Sequence, residues 1–165
     1  MIMELFYNTV ESAIIVAFIY GFFDIQNKYS KKVAVGISFS LIFAFSNLMT
    51  IISLSWIETL SLLILLLIGI LEYFYQGKIW EHILISITVA ILLALIDVCV
   101  LTLMSRVLGV EYNELVVKDN LSRFLAVMTT KIVYFLAVTI IVSFRKRYSF
   151  MLHRIELLMI FSTLT

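Results

Sequence analysis

The sequence has no proline, one cysteine and five glycines, and only 14% of its residues are charged. Without proline, nothing forces a helix to kink or to stop, so long straight helices are expected. The single cysteine, Cys99, excludes a disulfide within the chain and a metal site built from several cysteines. The basic residues form no patch interleaved with aromatics, so a nucleic-acid partner is not expected.

Hydrophobic residues are abundant, at 63% of the chain, and the mean hydropathy is +1.12. Soluble domains are about 45–50% apolar, and a small globule buries only about two-thirds of the surface that its unfolded chain exposes. So much apolar surface requires lipid as a solvent. The composition therefore predicts an all-α, polytopic transmembrane bundle whose first partner is the lipid bilayer.

Five apolar runs are each about as long as a membrane-crossing helix requires, which is about 20 residues. They predict full spans at about 5–23, 33–53, 57–75, 83–104 and 124–144. A last apolar run, 155–165, is too short to cross. We interpret it as an incomplete sixth span, so that residues 1–165 form one transmembrane domain of a longer protein. The alternative is a re-entrant or interfacial helix.

Lysine and arginine are distributed unequally between the two sets of connections. Eight lie in the first, third and fifth connections: Lys28, Lys31, Lys32, Lys78, Arg145, Lys146, Arg147 and Arg154. Three lie on the opposite side: Arg106, Lys118 and Arg123. Because basic residues mark cytoplasmic loops, this asymmetry predicts an external N-terminus.

Two ionisable residues lie well inside predicted spans, where charges are costly and often functional. Asp97 is seven residues before the end of its span at Met104, and Lys131 is seven residues after the start of the next at Phe124. Both therefore lie about 10 Å below the outer surface, at 1.5 Å per residue. We predict that they form an intramembrane pair. The pair could bind a ligand or only fix the helix register.

Other polar residues lie at similar depths and could line an outward-facing cavity together with Asp97. They are Glu11, Asn47, Thr50, Thr129 and Thr130. Of these, Asn47 and Thr130 are assigned, with Asp97 and Lys131, to a candidate ligand-binding site. The alternative is that such groups only hydrogen-bond between helices.

No motif for catalysis is present, and no metal or cofactor is expected. His82 and His153 have no partner at metal-ligand spacing, so we expect both to be solvated at the membrane interface. The connection 105–122 alternates apolar and polar residues and could lie on the membrane as an amphipathic element. It could also be a plain connector.

The C-terminal part of the chain resembles a known family. Residues 121–136, LSRFLAVMTTKIVYFL, are followed by FRKRYS at 144–149 and by a new apolar run with Glu156. This pattern resembles the membrane sensor region of GHKL-type histidine kinases, in particular the AgrC-like peptide-pheromone receptors of low-GC Gram-positive bacteria. The Lys-bearing span and the basic segment are the specific part of the resemblance.

The resemblance implies a signal-sensing domain in a bacterial plasma membrane, with an extracellular peptide ligand. It also implies a cytoplasmic kinase domain through which the full-length protein forms a homodimer. The phospho-acceptor histidine and the ATP-binding motifs do not occur in this sequence, so this chain itself is not expected to be an enzyme. The alternatives are the substrate-binding membrane component of a small-molecule transporter, or a membrane scaffold or accessory subunit.

Overall fold

The computed structural model describes residues 2–52, 55–112, 115 and 121–163, with side chains for 3–52, 55–112, 115 and 121–145. Its long helices are α1 (Ile2–Phe22), α2 (Lys31–Ile52), α3 (Trp56–Phe74), α4 (Ile79–Leu108) and α5 (Leu121–Thr163). Within these ranges, five helices are long and apolar enough to cross a membrane. The prediction of an all-α protein with five such helices is confirmed.

The membrane-crossing helices begin and end within about four residues of the predicted spans. The largest difference is in α4, which is one turn longer at each end. At its start, the Glu81 carboxylate accepts a hydrogen bond of 3.1 Å from the backbone N–H of Lys78. At its end, Gly109 has φ +64°, the left-handed conformation that terminates helices and favours glycine.

The last helix continues through the basic segment at 145–149, where the sequence suggested a connection. The membrane-crossing part of α5 ends at Arg145, yet the helix itself runs on to Thr163. Neither glycine nor proline occurs after Gly109, so nothing in the sequence breaks it. The side chains of the predicted partial span 155–165 lie outside the described residues, and so does that of His153.

The helices follow one another around a bundle that α5 closes by packing against both α4 and α1. The centre of the bundle is formed mainly by α1, where Ile15, Phe18 and Ile19 are completely buried. Leu67 of α3 and Val89 of α4 are equally buried. The fold therefore places α1 and α5 side by side, although they are the most distant helices in the sequence.

Large apolar side chains also cover the outside of the bundle. Among them, Leu65, Leu84 and Leu103 are each more than 60% exposed. A helix that is apolar on all sides is typical of a membrane span, because its outer face contacts lipid. These faces support a lipid bilayer as the surroundings of the bundle.

The α1–α2 and α3–α4 connections pair with each other at one end of the bundle, which we call the basic end. The backbone N–H of Gln26 donates to the carbonyl of Phe74 at 2.9 Å, and that of Gln76 donates to Asp24 at 2.8 Å. The Gln26 side-chain amide also donates to the carbonyl of Tyr75 at 3.1 Å. This pairing fixes the two helical hairpins relative to each other.

Candidate functional site

Helices α1 and α5 run parallel and are joined along their length, in what we call the α1–α5 seam. Far from the basic end, Arg123 donates to Glu4 at 3.1 Å. At the basic end, Arg145 donates to the carbonyl of Gly21 at 3.3 Å. Gly21 also packs so closely on Val142 that an added Cβ would lie 2.6 Å from its methyl groups.

The middle of the seam is an ion pair inside the membrane-crossing segments. The Lys131 ammonium donates to the Glu11 carboxylate. The Lys131 side chain is 9% exposed and that of Glu11 is 23% exposed. Asp97 of α4 is partly buried nearby and interacts electrostatically with both. Two carboxylates from different helices thus lie near one lysine, and Glu11 is the one hydrogen-bonded to it. We call these three residues the charged triad.

The sequence predicted Asp97 as the partner of Lys131, and the structure adds Glu11 as its hydrogen-bonded partner. Asp97 is eleven residues before the end of α4, and Lys131 is ten residues after the start of α5. At 1.5 Å per residue, both lie about 15 Å along their helices from those ends. This exceeds the predicted 10 Å because both helices are longer at that end. The triad therefore lies inside the membrane-crossing segments, in the half of each helix that is away from the basic end.

On one side of the triad, a cavity of about 190 Å³ opens between α4 and α5. Three of the predicted ligand-binding residues, Asp97, Thr130 and Lys131, line it together with Arg123. Its wall also includes Leu115, a fully buried residue of the connection between α4 and α5. Most of the predicted amphipathic part of that connection, at 113, 114 and 116–120, lies outside the described residues.

On the other side of the triad lies a second cavity, of about 280 Å³, which we call the Glu11 cavity. Helices α1, α2 and α3 form it, and its lining includes Asn8, Glu11, Ser46, Met49, Thr50 and Thr59.

The fourth predicted ligand-binding residue, Asn47, supports this cavity without lining it. Its side-chain oxygen accepts a hydrogen bond from Asn8 at 3.1 Å, and its amide donates to the carbonyl of Phe43 at 2.7 Å. The structure thus places Asn47 on the opposite side of the triad from Thr130. Two of the four predicted residues thus belong to the triad, and the other two lie on opposite sides of it.

Tyr134 is a polar residue of this region that the sequence did not single out. Its side chain is 1% exposed, and its hydroxyl has no hydrogen-bond partner among the described residues. It lies one turn after Lys131, in the same part of the bundle as Glu11 and Asp97.

The expectation of a solvated histidine at the basic end was wrong for His82. Its side chain is 1% exposed, its Nδ1 is 2.8 Å from the Glu72 carboxylate, and its ring packs on that of Phe23. The close turn at Gly77 causes this burial, because a Cβ there would lie 2.7 Å from His82 Nε2. His82 therefore packs the α3–α4 hairpin against the end of α1.

Among the residues with described side chains, no group of three or more His, Cys, Asp or Glu could hold a metal ion. Comparisons of the chain with protein-family models, curated proteins and solved structures gave no match.

Proposed function

We propose that the chain is the membrane-embedded signal-sensing domain of a two-component sensor histidine kinase, of the peptide-pheromone receptor type. The observation that carries this proposal is the charged triad, with one ion pair, a second carboxylate and a cavity on either side. An intramembrane charge cluster that only joined two helices would need one partner for each charge. The surplus carboxylate gives the triad two alternative pairings, which a sensor requires.

The proposed orientation has the N-terminus outside a bacterial plasma membrane and the basic end in the cytoplasm. The excess of Lys and Arg at the basic end supports it, because such residues mark cytoplasmic loops. In this orientation, both cavities lie toward the extracellular side of the bundle. A peptide would bind near the outer ends of α2, α4 and α5.

Signal transfer would use α5, which contains Lys131. The helix is continuous from the triad past the basic end, so a displacement at Lys131 is carried along it. A ligand shifts an equilibrium only by its difference in affinity for the two states. The two pairings of Lys131, with Glu11 or with Asp97, are the states that we propose. A dimeric cytoplasmic kinase domain beyond residue 165 would read them.

The coding sequence downstream of the Thr165 codon tests the sensor proposal directly. An open frame that encodes a dimerisation helix pair and a GHKL-type ATP-binding domain is the expected result. A stop codon directly after Thr165 would contradict the proposal and favour a transport component or an accessory subunit.

A phosphorylation assay on the full-length protein tests the sensing step. In proteoliposomes, conditioned medium from the source organism should change the autophosphorylation rate of the wild type. The variant Lys131→Met should respond less, whereas Lys28→Met, which removes a lysine at the basic end, should respond normally. Equal responses of the wild type and Lys131→Met would remove the triad from the mechanism.

A further inference from the structure

The Glu11 cavity differs from the α4–α5 cavity in its charge. Glu11 is the only ionisable side chain among the described residues that line it, whereas Arg123 and Lys131 both line the other. One cavity thus presents a carboxylate without a lining cation. The two cavities therefore favour ligand groups of different charge.

The polar groups of the Glu11 cavity present mainly hydrogen-bond acceptors. The Asn8 amide donates to Asn47 and Thr50, which leaves the Asn8 carbonyl oxygen without a described donor. The hydroxyls of Thr50 and Thr59 donate to carbonyls of Ser46 and Ser55, one turn earlier.

Because the hydroxyl hydrogens of both threonines already donate, their oxygens can only accept further hydrogen bonds. Of the lining hydroxyls, that of Ser46 has no hydrogen bond in the described structure and can donate or accept. A wall of acceptors around a carboxylate fits a group that is both cationic and rich in N–H donors.

The charge balance of the triad leads to the same conclusion. With all three groups ionised, the triad itself holds two carboxylates and one ammonium, which is an excess of one negative charge. Excess charge of one sign is unfavourable inside a membrane span, so a cation beside the carboxylates is favoured. A second cation beside Glu11 would leave Lys131 free to pair with Asp97, so that each carboxylate has its own partner.

We propose that the Glu11 cavity binds an ammonium or guanidinium group with Glu11 as its counter-ion, and that binding transfers Lys131 from Glu11 to Asp97. The inference rests on the proposed function only in identifying that group as part of an extracellular peptide, such as its amino terminus or a basic side chain. Transfer of Lys131 breaks the middle of the α1–α5 seam. It moves the pairing of α5 from α1 to α4, which is the change that the rest of α5 transmits.

Met49 provides a spectroscopic reporter, because its side chain lines the Glu11 cavity. The whole chain, with ¹³C-labelled methionine methyl groups, is placed in lipid nanodiscs at neutral pH and titrated with n-butylammonium. The Met49 signal is identified by its loss in Met49→Leu. We expect a saturable shift of this signal, absent with n-butyrate and absent in Glu11→Gln. The control Glu111→Gln, which removes an exposed carboxylate, should behave as the wild type.

Three outcomes of the titration would overturn the assignment. They are an unchanged Met49 signal in the wild type, an equal response to n-butyrate, or the same shift with Na⁺ alone at equal ionic strength. None depends on a variant that must fold without its ion pair. If no kinase domain were encoded downstream of the Thr165 codon, the proposed function would be contradicted, whereas the result of this titration would be unaffected. Failure of the titration alone would leave a sensor that recognises its ligand elsewhere.

A double-mutant cycle tests the transfer of Lys131. Because Lys131 competes with the ligand for Glu11, Lys131→Met should bind n-butylammonium about tenfold more tightly, equivalent to about 1.4 kcal/mol. Asp97→Asn should weaken binding about fivefold when Lys131 is present, since coupling energies between sites begin near that size. It should have no measurable effect in the Lys131→Met background. If Asp97→Asn weakens binding equally in both backgrounds, Asp97 acts directly on the ligand and no transfer occurs.

Discussion

Replacing Lys131 by methionine should destabilise the bundle more than any other single change in the charged triad. The variant leaves Glu11 and Asp97 inside the span without their shared cation. Breaking a buried ion pair by removing one partner costs about 3–5 kcal/mol. The Glu11 side chain is 23% exposed, which places the expected loss near the lower figure, at about 3 kcal/mol.

The carboxylate variants should be milder because each leaves Lys131 with the other acid. For Glu11→Gln we expect a loss of about 1.5 kcal/mol, the lower end of the net value of one hydrogen bond to a charged group. For Asp97→Asn, which removes no described hydrogen bond, we expect a smaller loss. Glu11→Gln should be the worse of the two, because Glu11 accepts the hydrogen bond from Lys131. The order of stability is then wild type, Asp97→Asn, Glu11→Gln, Lys131→Met.

Unfolding in mixed micelles of increasing SDS content, followed by circular dichroism, measures these differences. The variant Lys78→Met, at the exposed end of the α3–α4 hairpin, is the matched control and should differ little from the wild type. If Glu11→Gln were as damaging as Lys131→Met, Asp97 would be unable to take over the lysine. If Asp97→Asn were the worst, the pairing in the structure would be incorrect.

Substitutions at Gly21, Ser55 and Tyr134 test the packing and a helix cap. Gly21→Ala should cost about 1–3 kcal/mol by overpacking against Val142, and Val142→Ala should rescue it. As a control in the same unfolding assay, Gly36→Ala should be neutral or stabilising, because a Cβ at Gly36 would have no atom within 4 Å. Ser55→Ala removes the N-cap of α3 and should cost about 1 kcal/mol, whereas an unchanged midpoint would argue against that cap. Tyr134→Phe removes a buried hydroxyl without a described partner, so its SDS midpoint should stay the same or rise; a loss above about 1 kcal/mol would reveal a hydrogen bond there.

The positions of the spans could be predicted because hydropathy and length decide them directly. Runs of about 20 apolar residues have no stable alternative to a membrane-crossing helix. The choice of Asp97 and Lys131 as candidate residues followed from the same reasoning, since charges inside a span are rare and costly. The position of a span and the presence of a charge inside it can each be predicted from the sequence of one helix alone.

The hydrogen-bonded partner of Lys131, Glu11, could not be predicted because it depends on which distant helices are in contact. Consecutive helices are usually neighbours, which pointed to Asp97 on the preceding helix. The closure of the bundle also brings α1 into contact with α5, and no pattern within either helix predicts this contact. Both Glu11 and Gly21 face α5 in the structure, but the sequence alone does not show which helix they face.

The burial of His82 was missed for a related reason. Its sequence neighbours, Trp80 and Glu81, are exposed, and this context is typical of a solvated turn. The partner Glu72 lies ten residues earlier on the other helix of the hairpin. Only the tight turn at Gly77 brings the two together.

The parallel contact between α1 and α5 places Glu11 beside Lys131, and the charged triad depends on it. A disulfide between Gly21→Cys and Val142→Cys, in a Cys99→Ser background, tests that contact. A Cβ at Gly21 would lie 3.2 Å from that of Val142, near the separation that a disulfide spans. With a protease site inserted at Glu111, oxidation in membranes should keep the two fragments together after cleavage, and a Gly36→Cys/Val142→Cys control should let them separate. If the Gly21–Val142 pair also separates, α5 does not pack on α1, and both the triad and the proposed transfer of Lys131 are contradicted.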